Sequence, residues 1–122
     1  DKAEVLALRV APAGGAADAP PRALAIHVDV LRRRPVFHHA LAGRDLVVLT
    51  SEAGANRVYE AGGVRFVSLA AGVARDDKGR SWTVEEDALR LAGSAEARPR
   101  VAAHRAFWFG WFAQFPDTEL IR

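Results

Sequence analysis

The feature that most constrains this chain is its punctuation. Its apolar runs are short, and clusters of Gly, Pro, Asp and Asn divide them. EVLALRV (4–10), GRDLVVLT (43–50), NRVYE (56–60) and GGVRFVSLA (62–70) each have the length and β-branched content of a strand. Neighbouring parallel strands need a crossover of about a dozen residues or more, usually a helix. The intervals here are turns. The pattern therefore points away from a parallel α/β sheet. It predicts an α+β class: an antiparallel or mixed strand-rich domain closed by a C-terminal aromatic helix.

Taken along the chain, Glu4–Val10 is the first expected strand. APAGGAADAPP (11–21) has neither period nor bulk and is expected as a flexible surface loop. Its glycines form no dinucleotide or phosphate-loop pattern. RALAIHVDVL (22–31) is read as a strand running into a short helix. Leu46–Leu49 is a continuous run with the pattern of a buried strand. The alternation Val58, Glu60 and then Val64, Phe66 predicts a hairpin around Gly62–Gly63. RDDKGRSW (75–82) is a turn that returns to the sheet at Trp82–Val84, and EEDALRLAG is expected as a short helix or irregular segment.

The most strongly patterned element is the last. Four of the six Phe and two of the three Trp fall between Phe107 and Phe115. Trp108, Trp111, Phe112 and Phe115 stand at i, i+3, i+4 and i+7, one face of a helix, and Pro116 ends it. These four are expected to close the core. Phe107 and Phe109, with Arg105, are expected to face a partner, and Arg32, Arg33 and Arg34 to pair with acidic groups on it. A helix contact to heme, quinone or a membrane surface is the competing use. No C-x-x-C-H motif and no Lys/Arg-rich polar face support it, so no cofactor is expected.

Composition narrows the chemistry. A chain of 122 residues fits one domain, 1–122. With no cysteine, thiolate metal sites, disulfides and thiol nucleophiles are excluded. The formal charge is only +2 and Arg outnumbers Lys fifteen to two, which suits fixed ion pairs and gives no reason to expect nucleic acid. No stretch has the roughly 18–20 apolar residues of a spanning helix. The chain opens on Asp1, as a processed precursor or a trimmed form would.

The candidates for chemistry are sparse. His38 and His39 are adjacent and would point to opposite faces of a strand. A metal site would combine them through space with Asp29, Asp45 or His104, and a ligand-binding cleft would combine them with Asp45 and Glu52. LTSEAG lacks the glycines of a nucleophile elbow around Ser51. The acidic residues Asp76, Asp77, Glu85, Glu86 and Asp87 lack the ligand order of a calcium loop and read as a solvated face.

The order of these pieces resembles the bacterial and archaeal family known as domain of unknown function 3179. The similar segments are VLALRV, PRALAIHVDVL, GRDLVVL and GGVRFVSL. DDKGRSW matches the family's D-x-x-T-G-S-x-W pattern through Asp76 or Asp77, Gly79, Ser81 and Trp82. FWFGWFAQFPDTEL matches its ending through Trp111, Pro116, Asp117 and Thr118. Two departures stand out. TSEAG (50–54) occupies the place of a cysteine pair found in many relatives, and Phe115 replaces a histidine before the final proline. The resemblance implies an exported or envelope-associated protein and carries no reaction with it. Together with the sparse chemistry, it leads to the expectation of a noncatalytic structural or interaction subunit of a larger envelope-associated assembly. Its partners would be protein subunits, with peripheral association with a membrane complex, on the periplasmic or extracytoplasmic side. The alternative is a metal- or small-ligand-binding domain, or an enzyme of unknown reaction, built on His38, His39, Asp45 and Glu52.

Overall fold

A computed structural model describes residues 2–122, and among these it has twelve strands and two short helices. The order is β1 (Glu4–Val10), β2 (Arg22–His27), α1 (Val28–Arg33), β3 (Val36–Leu41), β4 (Arg44–Thr50) and β5 (Asn56–Glu60). Then come β6 (Phe66–Ala70), β7 (Val73–Asp76), β8 (Ser81–Val84), β9 (Ala88–Leu91) and β10 (Ala97–Val101). β11 (His104–Phe107), α2 (Trp108–Gln114) and β12 (Glu119–Ile121) complete it. Strands hold 50% of the residues and helices 11%, so the protein is mostly β and the expected α+β class is corrected.

The causes are local. The aromatic helical face of Trp108 to Phe115 does not extend back through the preceding residues: His104–Phe107 is a strand laddered to β1, with Ala106 opposite Val5. Only seven residues of the aromatic segment are helical. EEDALRLAG contains β9, whose Leu89 points into the core between β8 and β10. Helix propensity yields there to ladder pairing and burial.

Two sheets result. The smaller has the order β11-β1-β2-β12, with β12 parallel to β2 and the other pairs antiparallel. The larger has the order β3-β4-β5-β10-β9-β8-β7-β6 and curls until its edges, β3 and β6, nearly meet as a barrel. The glycine turn after β5 differs from expectation. Gly62 (φ +57) and Gly63 (φ +87) do reverse the chain, at backbone angles that glycine adopts freely. The strands on either side do not pair: β5 lies between β4 and β10, while β6 pairs with β7 at the far edge. Asp45 anchors this departure, its Oδ2 accepting the Gly63 N–H at 2.8 Å and its carbonyl accepting the Ala61 N–H at 2.7 Å.

Strand β4 shows why the sheets pack as they do. Val47 and Leu49 face the barrel interior with Tyr59, Phe66, Trp82 and Leu89. Leu46 and Val48 face outward onto Leu6, Leu8, Leu24 and Ile26 of the small sheet and onto Val30 and Leu31 of α1. A strand covered on both faces must be apolar throughout, which is what Leu46–Leu49 supplies. Burying each such side chain contributes about 1.5–3 kcal/mol. The opposite face of the small sheet presents Val5, Ala7 and Ala25 to Trp111 of α2. The two helices therefore cover opposite faces of one sheet. The loop 11–21, expected to be flexible, is tied near its start to the β3–β4 hairpin. Arg44 Nε donates to the Ala11 carbonyl at 2.6 Å, and the Ala13 N–H to the Ala42 carbonyl at 2.9 Å.

Candidate functional site

The DDKGRSW segment forms the β7–β8 hairpin, and its first aspartate turns inward. Asp76 is buried. Its Oδ1 accepts the backbone N–H groups of Lys78 (3.0 Å) and Arg80 (2.9 Å). Its Oδ2 accepts Arg80 Nε (2.8 Å) and the indole Nε1–H of Trp82 (3.0 Å). Burial alone pushes the carboxyl pKa upward. The bonds from Trp82, Arg80 and Lys78 outweigh it and hold the pKa at about 2. The charge is thus spent on the turn and on a core tryptophan. Glu85, Glu86 and Asp87 are engaged as well, while Asp77 is exposed. Arg90 bridges Glu85 (2.8 Å) and Asp87 (2.7 Å), and Arg57 holds Glu86 (2.6 Å).

The PDT segment does the same for the second buried tryptophan. Trp111 Nε1–H donates to Thr118 Oγ1 at 2.8 Å, and the Thr118 hydroxyl donates onward to the Phe115 carbonyl at 2.6 Å. Pro116 and Asp117 are the middle of the turn closed by the Thr118 N–H to Phe115 carbonyl bond. His104, at the start of β11, meets the Trp111 ring edge-on at 5.3 Å.

The remaining candidate ligands are not brought together. His38 and His39 leave β3 in opposite directions. His39 Nε2 pairs with Glu119 Oε2 at 3.0 Å, joining β3 to β12. His38 bridges the barrel seam, its Nε2 lying 3.0 Å from the Phe66 nitrogen and 3.2 Å from the Phe66 carbonyl oxygen, while the two rings stack. Its Nδ1 is buried without a partner. Burial lowers the His38 pKa below its usual 6.5, opposed by the Phe66 backbone bond and aided by Arg65. Asp45 is engaged by the glycine turn, and Glu52 lies on the exposed β4–β5 turn, where Ser51 Oγ accepts the Ala55 N–H at 3.1 Å. Among the described residues, no group of three or more His, Cys, Asp or Glu is arranged to hold a metal ion.

The interface candidates divide. Arg105 is committed within the chain, donating to Asn56 Oδ1 (2.7 Å) and the Gly54 carbonyl (2.9 Å) and pairing with Glu4 (3.1 Å). Arg32 pairs with Asp29 at 3.1 Å, and the Arg34 guanidinium sits 4.6 Å from the centre of the Phe37 ring. Arg33 is exposed on α1, across the small sheet from α2. Of the four aromatics expected in the core, Trp111 is buried and Trp108 and Phe115 are half-buried beside it. Phe112 is corrected: it is 44% exposed and leans on Trp108 at 5.3 Å. Seven helical residues on a narrow sheet leave room for one buried ring and two flanking ones. Phe107 and Phe109 are 60% and 70% exposed. Three phenyl rings within six residues thus face outward, and α2 carries no charge in its first or last turn.

The fold and these contacts define a β protein in which a small sheet plugs the outside of a nearly closed barrel and the polar motif residues lock two tryptophans. The chain belongs to the family described as Protein of unknown function (DUF3179), which it matches over residues 2–118. No curated protein and no solved structure matches it.

Proposed function

We propose that this domain is a noncatalytic interaction subunit of a larger protein assembly and docks through the outward phenyl rings of α2 and of the residue before it. The observation that carries the reading is the exposure of Phe107, Phe109 and Phe112 on one short, uncharged segment. Exposed apolar clusters of this kind mark interaction surfaces when the fold itself does not need them. Aromatic side chains give large contact area for little lost side-chain freedom. Of the residues that would otherwise suggest chemistry, His38, His39 and Asp45 are engaged in seam, turn and ion-pair contacts, and Glu52 stands apart from them on the β4–β5 turn. An envelope-side position is part of the proposal, motivated by the family resemblance. Among the described residues no helix is long and apolar enough to cross a membrane.

The test is native mass spectrometry of the gently solubilised assembly from cells carrying either the wild-type chain or a Phe107→Ser, Phe109→Ser, Phe112→Ser variant. Wild type should give a complex of fixed stoichiometry with other proteins, and the variant should be released from it while unfolding in urea at a similar midpoint. A wild-type chain that travels alone, or a variant that stays bound, defeats the proposal. Fractionation of the same cells checks the envelope-side position.

A further inference from the structure

The mouth of the barrel opposite the glycine turn is open. A groove of about 930 Å³ lies there, between the β4–β5 turn, the β6–β7 turn and the segment joining α1 to β3. That is within the roughly 300–1,000 Å³ range of small-molecule sites, which recur in the mouths of β-barrels. Its floor includes Leu49, Leu69 and Val84, and its rim is built of small residues, Ala53 and Gly54 on one side and Ala70 to Gly72 on the other. Three arginines from three separate elements reach it: Arg32 from α1, Arg57 from β5 and Arg105 from β11. Glu52 is the acid among the lining residues.

The guanidinium groups retain donors. Arg57 uses Nε and Nη2 on a single oxygen of Glu86, which leaves Nη1 uncommitted. Arg32 uses Nη1 on Asp29. Arg105, by contrast, uses all three of its nitrogens, Nε, Nη1 and Nη2, in joining the sheets. The carboxylates of Asp29 and Glu86 are largely exposed, so exchanging them for another anion costs little. An apolar floor beneath planar, multiply donating cations fits one chemical class.

We propose that the barrel mouth binds a small amphipathic anion, its carboxylate or phosphate head held by Arg57 and Arg32 and its short apolar tail lying over Leu49, Leu69 and Val84. The site is separate from the phenyl surface of α2, and its occupation does not depend on a protein partner. The head-group charge, the tail and the two arginines each make a distinct demand on the ligand.

The experiment is a titration of the isotopically labelled protein with octanoate and with octyl phosphate, followed by amide NMR. Inorganic phosphate and octylamine serve as head-only and opposite-charge probes. At least one of the two anionic amphiphiles should saturate at one per chain, shifting the amides of Ser51–Ala55 and Ala70–Gly72. The preference between them identifies the head. Octylamine and inorganic phosphate should bind much more weakly. The Arg32→Gln, Arg57→Gln double variant should lose roughly tenfold or more in affinity with the rest of its spectrum unchanged. An Ala70→Trp variant, which fills the mouth from an exposed position, should abolish binding. Failure of both anions to saturate, equal binding of octylamine, shifts centred elsewhere, or undiminished binding by a folded double variant overturns the proposal.

Discussion

Replacing Asp76 by Asn separates the charge of this carboxylate from its shape. The wild-type group accepts four bonds, and its pKa falls from 3.8 to about 2. A tenfold change in proton affinity is worth about 1.4 kcal/mol, so the ionised form stabilises the fold by roughly 2–3 kcal/mol. The sign follows from the depressed value. The contribution is fully present above the unfolded pKa near 4 and is lost as pH falls through 4 toward 2. In the variant, the amide can still accept from the Lys78 and Arg80 backbone. Its NH2 group, turned toward Arg80 and the Trp82 indole, sets donor against donor. Breaking a buried pair from one side costs about 3–5 kcal/mol. Arg80 is 39% exposed and can rehydrate, which places Asp76→Asn at about 2–4 kcal/mol at pH 7.

Urea unfolding followed by tryptophan fluorescence measures both effects. The gap between wild type and Asp76→Asn should be about 2–4 kcal/mol at pH 7 and should narrow by roughly 2 kcal/mol between pH 5 and pH 2. Other carboxylates titrate in both proteins, so the narrowing reports Asp76 alone. A gap under about 0.5 kcal/mol at pH 7, or one that does not change with acid, would show that the carboxylate does not hold the turn.

Thr118→Val, which keeps the shape but removes the acceptor for Trp111 Nε1, should destabilise by about 1–3 kcal/mol in the same assay and change the Trp111 emission. An unchanged urea midpoint would mean that the indole finds another acceptor. Ala71 sits at φ +49 before Gly72 in the β6–β7 turn, so Ala71→Asn should raise the urea midpoint, by about 0.5–1 kcal/mol in stability; no gain would mean that the turn relaxes without help. Because the His38 pKa is lowered in the fold, the unfolded chain binds more protons below pH 6.5, and stability should fall as pH drops from 7 into that range. His38→Gln should lose stability less steeply over that interval, and parallel pH profiles would remove His38 as the cause.

Local signals carried much of the strand map. Leu46–Leu49 marks a buried strand, RALAIHVDVL a strand running into a helix, and Gly62–Gly63 a reversal. What failed was inference about what lies beside what. The alternation on either side of Gly62–Gly63 is that of a hairpin, yet β6 crosses to the far edge. Barrel near-closure through His38 and Phe66 is a contact 28 residues apart that no local period encodes. The aromatic period misled in the same manner. It marks one helical face correctly, but the width of the sheet beneath decides that Trp111 is buried and Phe112 is not. Arg57 escaped notice because a lone arginine in a strand carries no signal until Arg32 and Arg105 are seen beside it.

The polar motif residues and the exposed rings invert a common expectation about which residues act. A tryptophan buried in a small β core needs a partner for its indole N–H, since an unpaired donor there costs about 1–3 kcal/mol. Trp82 finds it in Asp76 and Trp111 in Thr118, each reached across a turn, at six and seven residues' distance. Residues that look chemical in the sequence are thereby consumed in folding. Phe107, Phe109 and Phe112 stand in the opposite position: they are apolar, yet the core does not enclose them. Folding requires the aspartate and the threonine where they stand, and it leaves the three phenylalanines without a task. For that reason the search for a partner begins at the rings, and the search for a small ligand at the barrel mouth, where arginine donors remain uncommitted.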